Sequence, residues 1–162
     1  MYSCDDIIDL AVQIEKNGEK TLRKALESIS NPKLIPVLQS FADEEVQHAE
    51  WFSKLKPSID ESMEDPGLEE LGKSLMRDVL GDQSFSLDDA DFSKIEKINE
   101  LLSLMIEFEK DTVLFYEVLE PFIEDDGTLA NLKRIIAEEN NHISKLQGFA
   151  ESELALSLNR DA

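Results

Sequence analysis

Apolar residues recur at alternating steps of three and four along four long stretches of the chain. In the last stretch the series runs through Leu132, Ile135, Leu146 and Phe149. Residues at this spacing share one face of an α-helix, and such a stripe is typical of the packing seam of a bundle. No stretch alternates as a strand does. The pattern predicts an all-α protein with helices at 3–30, 32–56, 93–121 and 128–156.

Three local signals mark where the predicted helices begin or end. Asn31 followed by Pro32 is typical of an N-cap with proline at the first helical position. Ser93 with Glu96 fits a capping box at the start of the third helix. Asp125-Asp126-Gly127 interrupts the pattern before the fourth helix. Short connections of this kind join helices that pack as antiparallel neighbours.

The helices group into two hairpins, at 3–56 and 93–156, with a long crossover at 57–92. Eleven acidic and two basic residues lie in this crossover, which makes it strongly acidic. A bundle with one long crossover is the ferritin-like topology. We therefore predict a single ferritin-like domain at 1–162. The crossover is predicted to contain a short helix that carries Leu68, Leu71, Leu75 and Val79.

Charge and composition exclude several classes of protein. The 162 residues include 36 acidic and 16 basic ones, for a net charge of -20. A chain so acidic is expected to bind neither nucleic acid nor an anionic membrane surface. The longest run without a charge, Leu34 to Ala42, is too short to span a bilayer. The acidic N-terminus lacks the basic and apolar regions of a signal peptide, so we expect a cytoplasmic protein.

Six ionisable residues interrupt the apolar seams. Burying an unpaired carboxylate costs several kcal/mol or more, so several of them in one core require a large positive charge nearby. A pair of metal ions supplies such a charge. The predicted metal ligands are Glu15, Glu45, His48, Glu109, Glu139 and His142.

These six residues repeat at a constant separation of 94, which relates Glu15 to Glu109, Glu45 to Glu139 and His48 to His142. Each histidine follows a glutamate by three residues, so the two side chains share a helix face. The two helices of each hairpin meet at a turn, near Pro32 in the first hairpin and near Asp126 in the second. In each hairpin the single glutamate and the Glu-x-x-His motif both lie about 25 Å along their helices from this turn, so they are at the same level of the bundle. The chain therefore looks like a duplicated hairpin whose six ligands meet in one layer.

As a set, the motifs resemble the rubrerythrin-like group of the ferritin-like di-iron carboxylate family, over nearly the whole chain. The motifs are Ile14-Glu15-Lys16, Glu44-Glu45-x-x-His48, Phe108-Glu109-Lys110 with Phe115-Tyr116, and Glu138-Glu139-x-x-His142. The resemblance implies that Glu15 and Glu109 are terminal ligands and that each histidine binds one metal. It implies that Glu45 and Glu139 bridge the metals.

The resemblance also implies two iron ions, with manganese and zinc as alternatives. Tyr116 lies on the seam seven residues after Glu109, where its hydroxyl is expected to bond a ligand or a bound peroxide. Thr112 stands where rubrerythrins carry an additional glutamate. With one cysteine, this chain has no rubredoxin-like domain of its own. Electrons are therefore expected from an external redox protein.

The motifs and the resemblance are consistent with three functions. The first is a rubrerythrin-like non-haem di-iron peroxidase or oxidase, which reduces hydrogen peroxide or dioxygen and is reset by an external electron donor. The second is a ferroxidase or iron-storage subunit with the same site. The third is a metal-stabilised bundle that serves as an interaction module without catalysis. The resemblance makes a homodimer the expected assembly.

Overall fold

A computed structural model describes residues 4–55, 84–123 and 126–160. These residues form an all-α four-helix bundle without a strand, as the sequence predicts. Among the described helices, none is both long and apolar enough to cross a bilayer. The short helix predicted within the crossover lies outside the described residues. The four helices are α1 (Cys4–Ala25), α2 (Ile35–Ser53), α3 (Ile98–Leu119) and α4 (Asp126–Arg160).

The helices pack as two hairpins, α1 with α2 and α3 with α4, around a shared apolar core. Each helix contributes the residues that its three-and-four spacing places on one face. Phe149 is the exception, because its side chain is 64% exposed although it continues the seam of α4. It lines a groove between α2 and α4 instead of the core. The largest fully buried side chains include Ile14, Leu22, Leu38, Phe52, Leu101, Met105, Phe108, Tyr116 and Leu132.

The helix starts agree with the sequence at one position and differ at another. Asn31 caps the turn Pro32–Leu34 as predicted, and its side chain accepts a hydrogen bond from the Lys33 amide at 3.0 Å. The capping box predicted at Ser93 is wrong. Ser93 lies in a separate turn, Phe92–Lys94, where its amide donates to the Asp91 carboxylate.

Helix α3 begins at Ile98, five residues after the predicted start. Glu100 explains this position, because its Oε2 accepts from the backbone amides of Glu96 and Lys97 at 3.0 and 3.1 Å. Helix α4 begins at Asp126, so Gly127 lies inside its first turn and does not break it.

The end of the crossover closes one side of the bundle. The turn Phe85–Leu87 packs against α3 and α1. Ser84 fixes the position of this turn, because its hydroxyl donates a hydrogen bond to the Asn17 carbonyl at 3.1 Å and forms another with the Thr21 hydroxyl at 2.7 Å. Phe85 has a φ of 45°, a costly backbone conformation for a bulky residue. Its ring lies 6.4 Å from that of Phe108, so this segment covers the bundle interior between α1 and α3.

Gly18 allows the interior to pack closely. A Cβ atom at this position would lie 2.8 Å from Cζ of Phe108 and 3.3 Å from Oε2 of Glu45. Both neighbours are buried, so neither can move away freely. The lack of a side chain at Gly18 therefore lets α1 approach a core ring and one of the predicted metal ligands.

We expect Gly18→Ala to destabilise the protein relative to Gly148→Ala. Both glycines are helical, but a Cβ at Gly148 meets nothing within 4 Å. Gly148→Ala should stabilise by roughly 0.5–1 kcal/mol through helix propensity. At Gly18 the same gain is opposed by overpacking, which costs about 1–3 kcal/mol. Urea unfolding of both variants measures the difference, and equal stabilisation by both would contradict this account of Gly18.

Candidate metal centre

The six predicted ligands converge in the middle of the bundle. α1 supplies Glu15 and α3 supplies Glu109, while α2 and α4 each supply a glutamate and a histidine. The four glutamates are at most 1% exposed, and the His48 and His142 side chains are 13% and 5% exposed. Four carboxylates and two imidazoles thus share one buried layer, in the arrangement that the helical count predicts.

The distances divide the cluster into two halves. Nδ1 of His48 lies 3.4 Å from Oε2 of Glu15 and 3.6 Å from Oε2 of Glu139. Nδ1 of His142 lies 2.6 Å from Oε1 of Glu109. The two imidazole rings are nearly perpendicular, with centroids 4.9 Å apart. Each histidine therefore faces the single glutamate that the sequence count assigns to it.

Two overlapping groups of donor atoms are compact enough to hold a metal ion. Within each group the ligand atoms all lie within 4.8 Å of one another. His48 belongs to both groups, so the two positions adjoin. The groups are Glu15, Glu45 and His48, and His48, Glu139 and His142.

Most of these buried donor atoms have no hydrogen-bond partner. They include both carboxylate oxygens of Glu45, Glu109 and Glu139, Oε2 of Glu15, and Nδ1 of each histidine. Their mutual contacts are short but lack hydrogen-bond geometry. Buried polar groups are normally satisfied, and leaving a charged one unpaired is costly. Oxygen and imidazole donors that point into one volume fit divalent transition metals.

The raised pKa values of Glu15, Glu45 and Glu139 show that their charged forms are unfavourable when no cation is bound. Burial raises the pKa of Glu15, although contact with His48 opposes the rise. Burial raises the pKa of Glu45 and of Glu139 well above the usual range, and repulsion from nearby carboxylates adds to it. Because the charged forms are disfavoured, the metal-free cluster retains protons that a bound cation would displace.

The pKa values of the two histidines are shifted in the direction opposite to that of ordinary buried imidazoles. Burial alone lowers the pKa of His142, but its ion pairs with Glu109 and Glu44 raise that pKa to about 10. Burial also lowers the pKa of His48, and contact with Glu15 outweighs it to give a net rise. Both rings are therefore protonated more readily in the metal-free protein than an ordinary histidine is.

Glu44 is a functional candidate that the sequence reasoning did not place at the site. Its Oε2 lies 2.6 Å from Nε2 of His142, so a carboxylate holds the ring nitrogen that faces away from Glu109. Carboxylates in this position orient metal-binding histidines and make them more basic. The repeat partner of Glu44, Glu138, makes no hydrogen bond or ion pair with His48 within the described residues. In the sequence, the signal for this role was the Glu-Glu pair that lies three residues before each histidine.

The remaining candidates differ in their contacts. Tyr116 is fully buried, and its hydroxyl has no hydrogen-bond partner among the described residues. Burial raises its pKa well above the usual range, and nearby glutamates raise it further, so the hydroxyl keeps its proton. Thr112 donates to the Phe108 carbonyl at 3.0 Å, which satisfies its hydroxyl within α3.

No protein-family model matches the chain, and no curated protein or solved structure matches it either. The evidence for a function is therefore the geometry of the buried cluster. That geometry consists of six donor residues on four helices, with most donor atoms unpaired.

We expect metal binding at pH 7 to release about one proton or more per chain, since burial raises the pKa of Glu45 and of Glu139 and the pKa of His142 is about 10. Affinity should fall as the pH is lowered, because protons compete for the same atoms. Titration calorimetry with Mn²⁺ in two buffers of different ionisation enthalpy counts the protons. Glu117→Gln, on the exposed face of α3, serves as the control. Binding without proton release would contradict the raised pKa values.

Proposed function

We propose that the protein is a ferritin-like di-iron oxidoreductase that reduces hydrogen peroxide, or dioxygen, with electrons from an external donor. The observation that carries the proposal is the buried layer of four glutamates and two histidines with unpaired donor atoms. Four carboxylates carry a charge that two divalent cations balance. The resemblance of the Glu-x-x-His motifs to rubrerythrins supports iron and peroxide.

The distances support a division of the ligands between two iron ions. Glu15 and His48 would hold one ion, and Glu109 and His142 the other. Glu45 belongs to one compact donor group and Glu139 to the other. The resemblance to rubrerythrins implies that both would bridge the ions. When bound in the ferrous state, the pair supplies the two electrons that reduce a peroxide to water.

The surrounding residues prepare this site for the reaction. Burial of the cluster excludes bulk water, which strengthens electrostatic interactions inside it. Glu44 orients the His142 ring through Nε2 and leaves Nδ1 directed toward Glu109. The hydroxyl of Tyr116 is buried near the four glutamates and keeps its proton, so it would donate a hydrogen bond to a substrate bound at the site. Together these contacts hold the ligands and keep one proton within the cavity.

An anaerobic titration with ferrous iron, followed by rapid mixing with peroxide or air, tests the proposal. We expect saturation at two irons per chain and faster oxidation by peroxide than by oxygen, observed by near-ultraviolet absorbance. Faster oxidation by oxygen with uptake far beyond two irons would favour the iron-storage alternative. Tight binding without oxidation would favour a structural metal, and failure to bind two irons would overturn both the peroxidase and the iron-storage functions.

We expect Glu45→Gln to lose paired iron binding and to stabilise the metal-free protein. The amide keeps the shape of the carboxylate but cannot bridge two cations as an anion. It also removes a carboxyl whose charged form is disfavoured by burial and by the nearby carboxylates, which should raise metal-free stability by on the order of 1 kcal/mol or more. Iron stoichiometry and urea unfolding give the two readouts, with Glu117→Gln as the matched variant on the exposed face of α3. Normal binding of two irons by Glu45→Gln would refute the bridging role.

Three further features of the proposal remain predictions. They are the homodimer, the cytoplasmic location and the identity of the electron donor. The donor matters most for the mechanism, because two electrons must reach the buried irons after each turnover.

A further inference from the structure

A groove between α2 and α4 leads from solvent to the metal centre. Its volume is about 590 Å³, within the range of small-molecule pockets. His48 and His142 both line it, so the outer edges of two predicted ligands form its floor. On the opposite side, the turn Phe85–Leu87 covers the bundle between α1 and α3. Among the described residues, the groove is therefore an open approach to the site.

The walls of this groove are aromatic and apolar. Trp51 and Phe41 from α2 stand across from Leu146 and Phe149 of α4. The Arg134 guanidinium lies 5.8 Å from the Trp51 ring centroid, which holds the indole between the two helices. Phe149 is 64% exposed although large and aromatic. Aromatic side chains in this arrangement stack well on a planar ring.

The polar residues of the groove include both hydrogen-bond donors and acceptors. Lys54, Lys145 and Gln47 offer donors, while Glu50 and Glu138 offer carboxylate acceptors. Neither lysine forms an ion pair with another described residue. With Glu44 included, three carboxylates lie beside two ammonium groups, so the opposite charges largely offset one another and a neutral ligand enters without an electrostatic penalty.

A second, more apolar groove of about 370 Å³ adjoins the first and shares Phe41, Glu44 and Phe149 with it. It leads away from the histidines, toward the N-terminal ends of α2 and α3. Its lining is mostly apolar and includes Val37, Ile98 and Leu102. A ligand that spans both grooves would have a planar polar head beside the metal centre and an apolar tail.

We propose that the two grooves bind a quinol with an apolar side chain, and that this quinol is the external electron donor of the proposed di-iron reaction. A quinol is neutral and planar, and its hydroxyls donate to carboxylates. Once oxidised, its carbonyl oxygens accept from Lys54, Lys145 or Gln47. The groove therefore offers hydrogen-bond partners for both redox states.

The reaction balances without another participant. The quinol loses two electrons and two protons to become the quinone. The electrons would restore the ferrous state of the proposed iron pair, and the two protons would pass to water through the open groove. Reduction of hydrogen peroxide consumes two electrons and two protons and yields two waters. The sum is one quinol and one peroxide converted to one quinone and two waters.

Binding can be tested on the metal-free protein, because Trp51 is the single tryptophan of the chain and lines the groove. We expect a benzoquinone with a decyl side chain to quench its fluorescence saturably. The same ring without the tail should bind about tenfold more weakly, since burying alkyl groups supplies affinity. Phe149→Ser should weaken binding of the decyl compound about tenfold. Leu114→Ser is the matched control, because Leu114 is 59% exposed on α3, outside the groove.

Electron donation is tested on the diferric protein without oxygen. We expect one equivalent of the decyl quinol to bleach the ferric absorbance, with a rate about tenfold lower in Phe149→Ser than in Leu114→Ser. After reduction by dithionite, both variants should react with peroxide at the same rate. This result would show that Phe149→Ser affects the binding of the donor and not the metal centre.

The outcomes distinguish this inference from the proposed function. Linear, non-saturable quenching that is identical in both variants would overturn the quinol site. Rapid peroxide reduction by dithionite-reduced protein, together with no reduction by the quinol, would overturn the donor role and leave the di-iron function intact. Saturable quenching that Phe149→Ser weakens, in a protein that binds no iron, would support the site and refute the proposed function.

Discussion

The free energy cost of four buried carboxylates is the constraint on which the rest of this protein depends. Glu45, Glu109 and Glu139 are fully buried, and both oxygens of each lack a hydrogen-bond partner. An all-apolar seam would pack as well without that cost. The metal-free bundle is therefore destabilised at its centre, and any cation bound there adds its binding free energy to the stability of the fold.

The repeated hairpin does not produce two equivalent half-sites. His142 has a carboxylate on each ring nitrogen, because Glu44 approaches Nε2 and Glu109 lies near Nδ1. His48 has no such outer partner among the described residues. Tyr116 on α3 corresponds to Leu22 on α1, so a hydroxyl lies on one side alone. Two metals held here would differ in ligand basicity and in hydrogen bonding, and therefore in reactivity.

The two sides of the bundle are also different, and this difference directs access. The turn Phe85–Leu87 covers the side of α1 and α3, and Ser84 holds it in place. The side of α2 and α4 carries the groove with the two histidines at its floor. Small oxidants and a larger electron donor would reach the centre from the same direction. The aromatic walls then select the donor, whereas peroxide needs no such contact.

The four helices and the convergence of the six ionisable residues could be predicted from the sequence, because helical periodicity and the distance from each turn are local properties. The start of α3 was not predictable, since competing side chains such as Asp91 and Glu100 decide which amides are capped. Tertiary structure alone decided that Glu44 meets His142 and that Phe149 is exposed. Both depend on how closely α2 approaches α4, and no spacing within one helix encodes a distance between two.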